Sequence, residues 1–63
     1  MKPIFIELMV TGNVTTFFNV NDIVRVEQSV NEPLVSLLYL RDGQQFVLNH
    51  SAKGVMTIIH LAH

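Results

Sequence analysis

The 63-residue chain has no cysteine and no tryptophan. Without cysteine no disulfide can brace the fold, and the absence fits a reducing compartment. Charge is scarce as well. Asp, Glu, Lys and Arg make up 14% of the residues, where ordinary domains carry about 25%. The permanent cations Lys2, Arg25, Arg41 and Lys53 are dispersed and the formal net charge is −1, so the sequence carries no broad basic footprint for nucleic acid. Glycines 12, 43 and 54 stand alone, which excludes a glycine-rich phosphate loop. Ser29, Ser36 and Ser51 lack the Gly-x-Ser-x-Gly setting of an activated nucleophile. The carboxylates Glu7, Asp22, Glu27, Glu32 and Asp42 show no spacing that suggests a paired acid and base. We therefore expect a protein that is not an enzyme and uses no cofactor.

No apolar run reaches the roughly 18 residues of a membrane span. Met1-Lys2 followed by Ile4 to Val10 has the outline of a signal peptide, but Glu7 interrupts the run and no small-residue cleavage site follows. The expectation is a cytoplasmic protein without membrane attachment.

What is present is apolar: 49% of the residues are hydrophobic. Pro3 to Val10 reads as a first strand, with proline at the start where no amide hydrogen is needed. Thr11-Gly12-Asn13 forms a turn, and Val14 to Val20 returns with Val14, Thr16, Phe18 and Val20 on one face. Asn19, Asn21 and Asp22 carry short polar side chains that bond to nearby backbone amides. They end the second strand and launch the third, Ile23 to Glu27, with Val24 and Val26 opposite Arg25 and Glu27. Ile23 is expected to fill the core beneath this turn. Gln28 to Pro33 is a polar loop. Leu34 to Leu40 is the most apolar strand, and Asp42-Gly43 signals a tight hairpin into a fifth strand, Gln45 to Leu48. Ser51 can cap a helix over residues 51–62, whose apolar stripe is Val55, Ile58, Ile59 and Ala62. The expected fold is α+β, a single domain over residues 1–63: a small antiparallel sheet of four to five strands with one C-terminal helix.

One short helix covers one sheet face. The first and fourth strands are apolar on both sides: Ile4, Ile6, Leu8 and Val10 oppose Phe5 and Met9, while Leu34, Leu38 and Leu40 oppose Val35, Leu37 and Tyr39. Such strands are normally covered twice. A domain this small also buries only about 60% of its unfolded surface and often needs a staple. Self-association, as a symmetric homodimer or a higher assembly, follows as the expectation, with Phe5, Phe17, Val35, Leu37 and Tyr39 as contact residues. Sheet edges and the apolar face also suit another protein as partner.

His60 and His63 are three apart on the predicted helix, and His50 lies just before it, a spacing open to metal binding but short of a full ligand set. A solvated His50 and a frayed helix end are the plainer expectation, and no metal is assigned. Nucleic acid is a second reading, with Arg25, Arg41 and Lys53 on phosphates and Phe17, Phe18 and Tyr39 available for stacking.

The segments FFNVNDIVRVE and LYLRDGQQFVLNHSAKGVMTII carry a further signal. Asn19, Asp22-Ile23, Glu27, Asp42-Gly43, Phe46-Val47-Leu48, Ser51, Val55 and Ile58-Ile59 form a pattern of turns, short strands and a closing helix over residues 12–60. In this the chain resembles the FlbD-like family of small bacterial proteins. It departs from that family at His50, where an acidic residue is common, and at Ala52-Lys53-Gly54, where the family helix is rich in Glu. The resemblance implies the same sheet-and-helix fold. It gives little function, because family members occur within flagellar gene clusters and far from them, with no established activity. The hairpin rhythm also resembles the LytTR DNA-binding module, which is longer and more basic. The functional expectation is a regulatory protein-interaction module. Alternatives are an oligomeric nucleic-acid-binding regulator and a phage-type inhibitor of a host protein.

Overall fold

The structure, a computed structural model, describes residues 3–62. Five strands form one antiparallel sheet: β1 (Phe5–Val10), β2 (Val14–Asn19), β3 (Ile23–Gln28), β4 (Ser36–Leu40) and β5 (Gln45–Leu48), followed by the helix α1 (Ala52–Ala62). Their order across the sheet is β2-β1-β5-β4-β3. The α+β class, the five strands and the C-terminal helix are as the sequence predicts.

Local chemistry explains the connections. Gly12 and Asn13 both take positive φ, 87° and 61°, which closes the β1–β2 hairpin. Between β2 and β3 the chain makes a single 3-10 turn, Val20–Asp22. The Asn19 side chain accepts a hydrogen bond from the Asn21 amide at 3.0 Å, and the Ile23 amide closes the turn onto the Val20 carbonyl. The Asn-Val-Asn-Asp cluster thus starts β3 by satisfying backbone groups locally. In the last hairpin Asp42 Oδ1 accepts from the Gln44 amide at 3.0 Å. Ser51 Oγ caps α1 by accepting from the Gly54 amide at 3.0 Å.

Several local expectations are corrected. The first strand begins at Phe5 rather than Pro3. The register of β3 slips between Ile23 and Arg25, a β-bulge beside which Ile23 and Val26 pack on the core while Val24 stays exposed at the rim. Leu34 and Val35 lie outside β4, and Leu34 is exposed in the preceding turn. There the Gln28 side chain gathers the chain: its Nε2 donates to the Glu32 and Val35 carbonyls, each at 3.0 Å, and its Oε1 accepts from the Ala52 amide at 2.8 Å. One side chain thereby ties the β3–β4 loop to the start of α1. At the other end of the helix Ala62 is exposed rather than part of the buried stripe.

A single row of paired residues crosses the whole sheet: Val14, Val10, Leu48, Ser36 and Gln28. The β1–β2 hairpin extends to one side of this row and the β3–β4–β5 meander to the other. The two blocks therefore meet corner to corner, and Val10 with Leu48 is the one paired position between β1 and β5. Polar bonds reinforce this seam. The Thr11 amide donates to the Val47 carbonyl at 3.0 Å and the Asn49 amide to the Met9 carbonyl at 2.8 Å. The Met9 amide donates to His50 Nε2 at 3.0 Å, so His50 takes the place of a strand carbonyl just where β5 has ended. That bond requires Nε2 to be unprotonated.

The helix lies across both blocks and touches β1 and β3. The core is Ile6, Leu8 and Phe18 from the hairpin, Leu38 and Leu48 from the meander, and Val55 from the helix. Phe18 meets Phe46 edge to face, with centroids 5.1 Å apart. Ser36 is fully buried on this side and its Oγ has no hydrogen-bond partner among the described residues. A buried hydroxyl left unpaired costs about 1–3 kcal/mol. Ser36→Ala is therefore expected to raise stability by about 1 kcal/mol in denaturant unfolding, and a loss of that size would show that the hydroxyl is bonded. His50→Ala is expected to cost about 1 kcal/mol and to speed hydrogen exchange at the Met9 amide selectively.

Candidate interaction face

Side chains alternate along each strand, so the sheet face away from α1 carries the other half of every strand. This face has two lobes, one for each block. The hairpin lobe presents Phe5, Glu7 and Met9 from β1, with Asn19, Phe17 and Thr15 directly across on β2. Phe5 is 59% and Phe17 62% exposed, which is unusual for phenylalanine in a sheet. The meander lobe presents Leu37 and Tyr39, half-buried, next to Val47 and Gln45 on β5 and Glu27 and Arg25 on β3. Val35 stands one place before β4 and is half-buried. The five residues expected at a self-association surface thus alternate onto one side of the sheet, Phe5 and Phe17 in one lobe and Leu37, Tyr39 and Val35 in the other. Met9 and Val47 belong with them, each more than a third exposed. The signal for both was in the sequence: Met9 follows Glu7 by two, and Val47 alternates with the core residues Phe46 and Leu48.

The polar groups of this face are distributed unequally. In the meander lobe Arg25 Nη2 lies 2.8 Å from Glu27 Oε2, and the guanidinium sits over the Tyr39 ring at 4.6 Å from its centroid. The hydrogen bond from Arg25, and then the Tyr39 hydroxyl, hold the Glu27 carboxyl below the usual glutamate range. The Tyr39 phenol is pushed up, chiefly by its bond to Glu27. In the hairpin lobe Glu7 has no hydrogen bond or ion pair among the described residues. Exposed Phe5 and Met9 flank it along the strand and Phe17 lies opposite.

The residues proposed for nucleic acid are not brought together. Arg25 is on the open face and already paired with Glu27. Arg41 lies in the β4–β5 hairpin, its Nη2 donating to the Asn21 carbonyl at 2.8 Å. Lys53 is in the first turn of α1, on the other side of the sheet. Of the residues proposed for stacking, Phe18 is buried in the core. Of the histidines, His50 is held in the seam and His60 is exposed in the last turn of the helix. His63 and Lys2 lie outside the described residues. Among those described, no cluster of three His, Cys, Asp or Glu side chains could hold a metal ion, and no helix is long and apolar enough to cross a membrane.

Two surface clefts flank the sheet. One of about 370 Å³ runs between β3 and α1 and is lined by Val20, Ile23, Val24, Arg25, Val26, Met56 and Ile59. The other is lined by Asp22, Leu40, Arg41 and Asp42. No histidine or serine lines either one.

No family model matches the chain, and no curated protein or solved structure was found to be similar to it.

The Glu27 carboxyl gives a direct check on the meander lobe. Its folded value lies below the unfolded one, so the Arg25 pair stabilises the fold above the ordinary glutamate range. That contribution is lost as pH falls through the depressed value. In an NMR titration Glu27 is expected to protonate below the usual glutamate range, and Arg25→Gln is expected to move it upward. An unchanged titration in the variant would mean that the pair does not persist in solution.

Proposed function

We infer that the chain is a non-enzymatic module that associates with itself and with another protein, in a regulatory role inside the cell. The observation that carries this reading is the open sheet face, where Phe5, Phe17, Met9 and Val47 remain exposed beside half-buried Leu37 and Tyr39. Apolar surface gathered on one side of a sheet marks an interaction site. Size supports a whole-face contact. Five strands spaced about 4.8 Å apart and about 18 Å long cover roughly 400 Å² in plan. Side-chain relief adds to this, and a stable pair buries about 800 Å² of accessible surface on each partner. A dimer therefore has to use both lobes. The resemblance to FlbD-like proteins implies the fold and gives little function. Binding to nucleic acid through Arg25, Arg41 and Lys53 has less support, since these cations are not brought together: Arg25 lies on the open face, Arg41 in the β4–β5 hairpin and Lys53 on α1. Nothing in the fold favours the phage-type inhibitor.

Sedimentation velocity at micromolar concentration tests the reading. The wild type is expected to sediment as a multiple of 7.1 kDa. Leu37→Glu and Phe17→Glu are each expected to reduce it to a single chain with an unchanged circular dichroism spectrum. Phe17 is the decisive position, because its exposure leaves the fold indifferent to the charge. A wild type that sediments as one chain overturns the proposal, as does an assembly that survives both substitutions.

A further inference from the structure

The geometry points to a two-fold dimer in which the hairpin lobe of one copy covers the meander lobe of the other, with Glu7 of each copy meeting Arg25 of its mate. This rests on the self-association reading and specifies its contacts.

The argument starts from strand register. Glu7 lies three residues from Val10, to one side of the row that crosses the sheet. Arg25 pairs with Tyr39, three residues from Ser36, to the other side. The strands between them are β5 and β4, so Glu7 and Arg25 occupy diagonally opposite corners of one face. A two-fold axis lying in the contact plane, across the other diagonal, exchanges these corners. Each lobe then packs on its opposite, and the Glu7–Arg25 contact occurs twice.

The chemistry of the corners agrees. Glu7 is a carboxylate without a cation among the described residues, set in exposed apolar surface. Covering it without a partner charge would be costly. Arg25 is 59% exposed, and its bond to Glu27 uses only one of its donors, leaving others of its five N–H groups for a second carboxylate. One plane of its guanidinium rests on Tyr39. The other plane is open to Phe17 of the mate, which lies directly across from Glu7 on the hairpin. Any arrangement that stacks like lobes on each other would instead bring Glu7 against Glu7 or Arg25 against Arg25.

Charge reversal with mixing tests this pairing. Glu7→Lys alone and Arg25→Glu alone are each expected to weaken the dimer at least about tenfold, because like charges then face each other twice. An equimolar mixture of the two variants is expected to recover wild-type affinity within about threefold, since each mixed dimer contains one Glu7–Arg25 contact and one Lys–Glu contact in its place. Circular dichroism of each variant establishes that it is folded. A dimeric wild type whose variants fail to recover on mixing, or are not weakened, overturns this pairing and leaves self-association standing. A monomeric wild type overturns both.

Discussion

The narrow seam between β1 and β5 governs this molecule. Two blocks of antiparallel strand meet at a single paired position, Val10 with Leu48, and a sheet joined so briefly has little ladder to hold it. The remaining constraint comes from polar groups around the joint and from the helix. His50 receives the Met9 amide, and Thr11 and Asn49 bond across from either side. The helix lies across both blocks, and Val55 completes a core drawn from each. Short helices are weak alone, and this one contains Gly54 and several β-branched residues. It depends on the sheet for its stability, and the two halves of the sheet depend on it for theirs.

The same stagger shapes the surface. Each block exposes its own lobe, and α1 is placed on the other side of the sheet. The lobes differ in kind: one is aromatic with a lone carboxylate, the other aliphatic with an Arg–Glu–Tyr cluster. A surface whose two ends differ can distinguish one docking orientation from its reverse, which a uniformly apolar surface does poorly.

Much of the fold was legible in the sequence because its signals are local. Thr11-Gly12-Asn13 and Asp42-Gly43 need particular backbone angles, the Asn19 cluster satisfies its own turn, and Ser51 with Val55, Ile58 and Ile59 marks a capped amphipathic helix. The side on which Phe5, Phe17, Leu37 and Tyr39 lie follows from alternation alone. The parts that could not be read depend on distant partners. The register shift between Ile23 and Arg25 exists only in the pairing of β3 with β4, and no residue within Ile23 to Glu27 announces it. Leu34 is as apolar as its neighbours, yet it falls in a turn that Gln28 organises from across the loop. His50 looked like a solvent-facing residue or a metal ligand, and its actual partner is a backbone amide 41 positions away.

The bulge in β3 has a bearing on how large an assembly can become. β3 ends the sheet on one side, and a strand at that place with a regular ladder offers itself to the next chain along, which in turn offers another, without limit. The kink at Val24 disturbs the spacing of those outward amides and carbonyls. Growth by adding strand to strand is thereby discouraged on this side. The proposed stacking through the broad faces, by contrast, would hide the exposed phenylalanines and then stop.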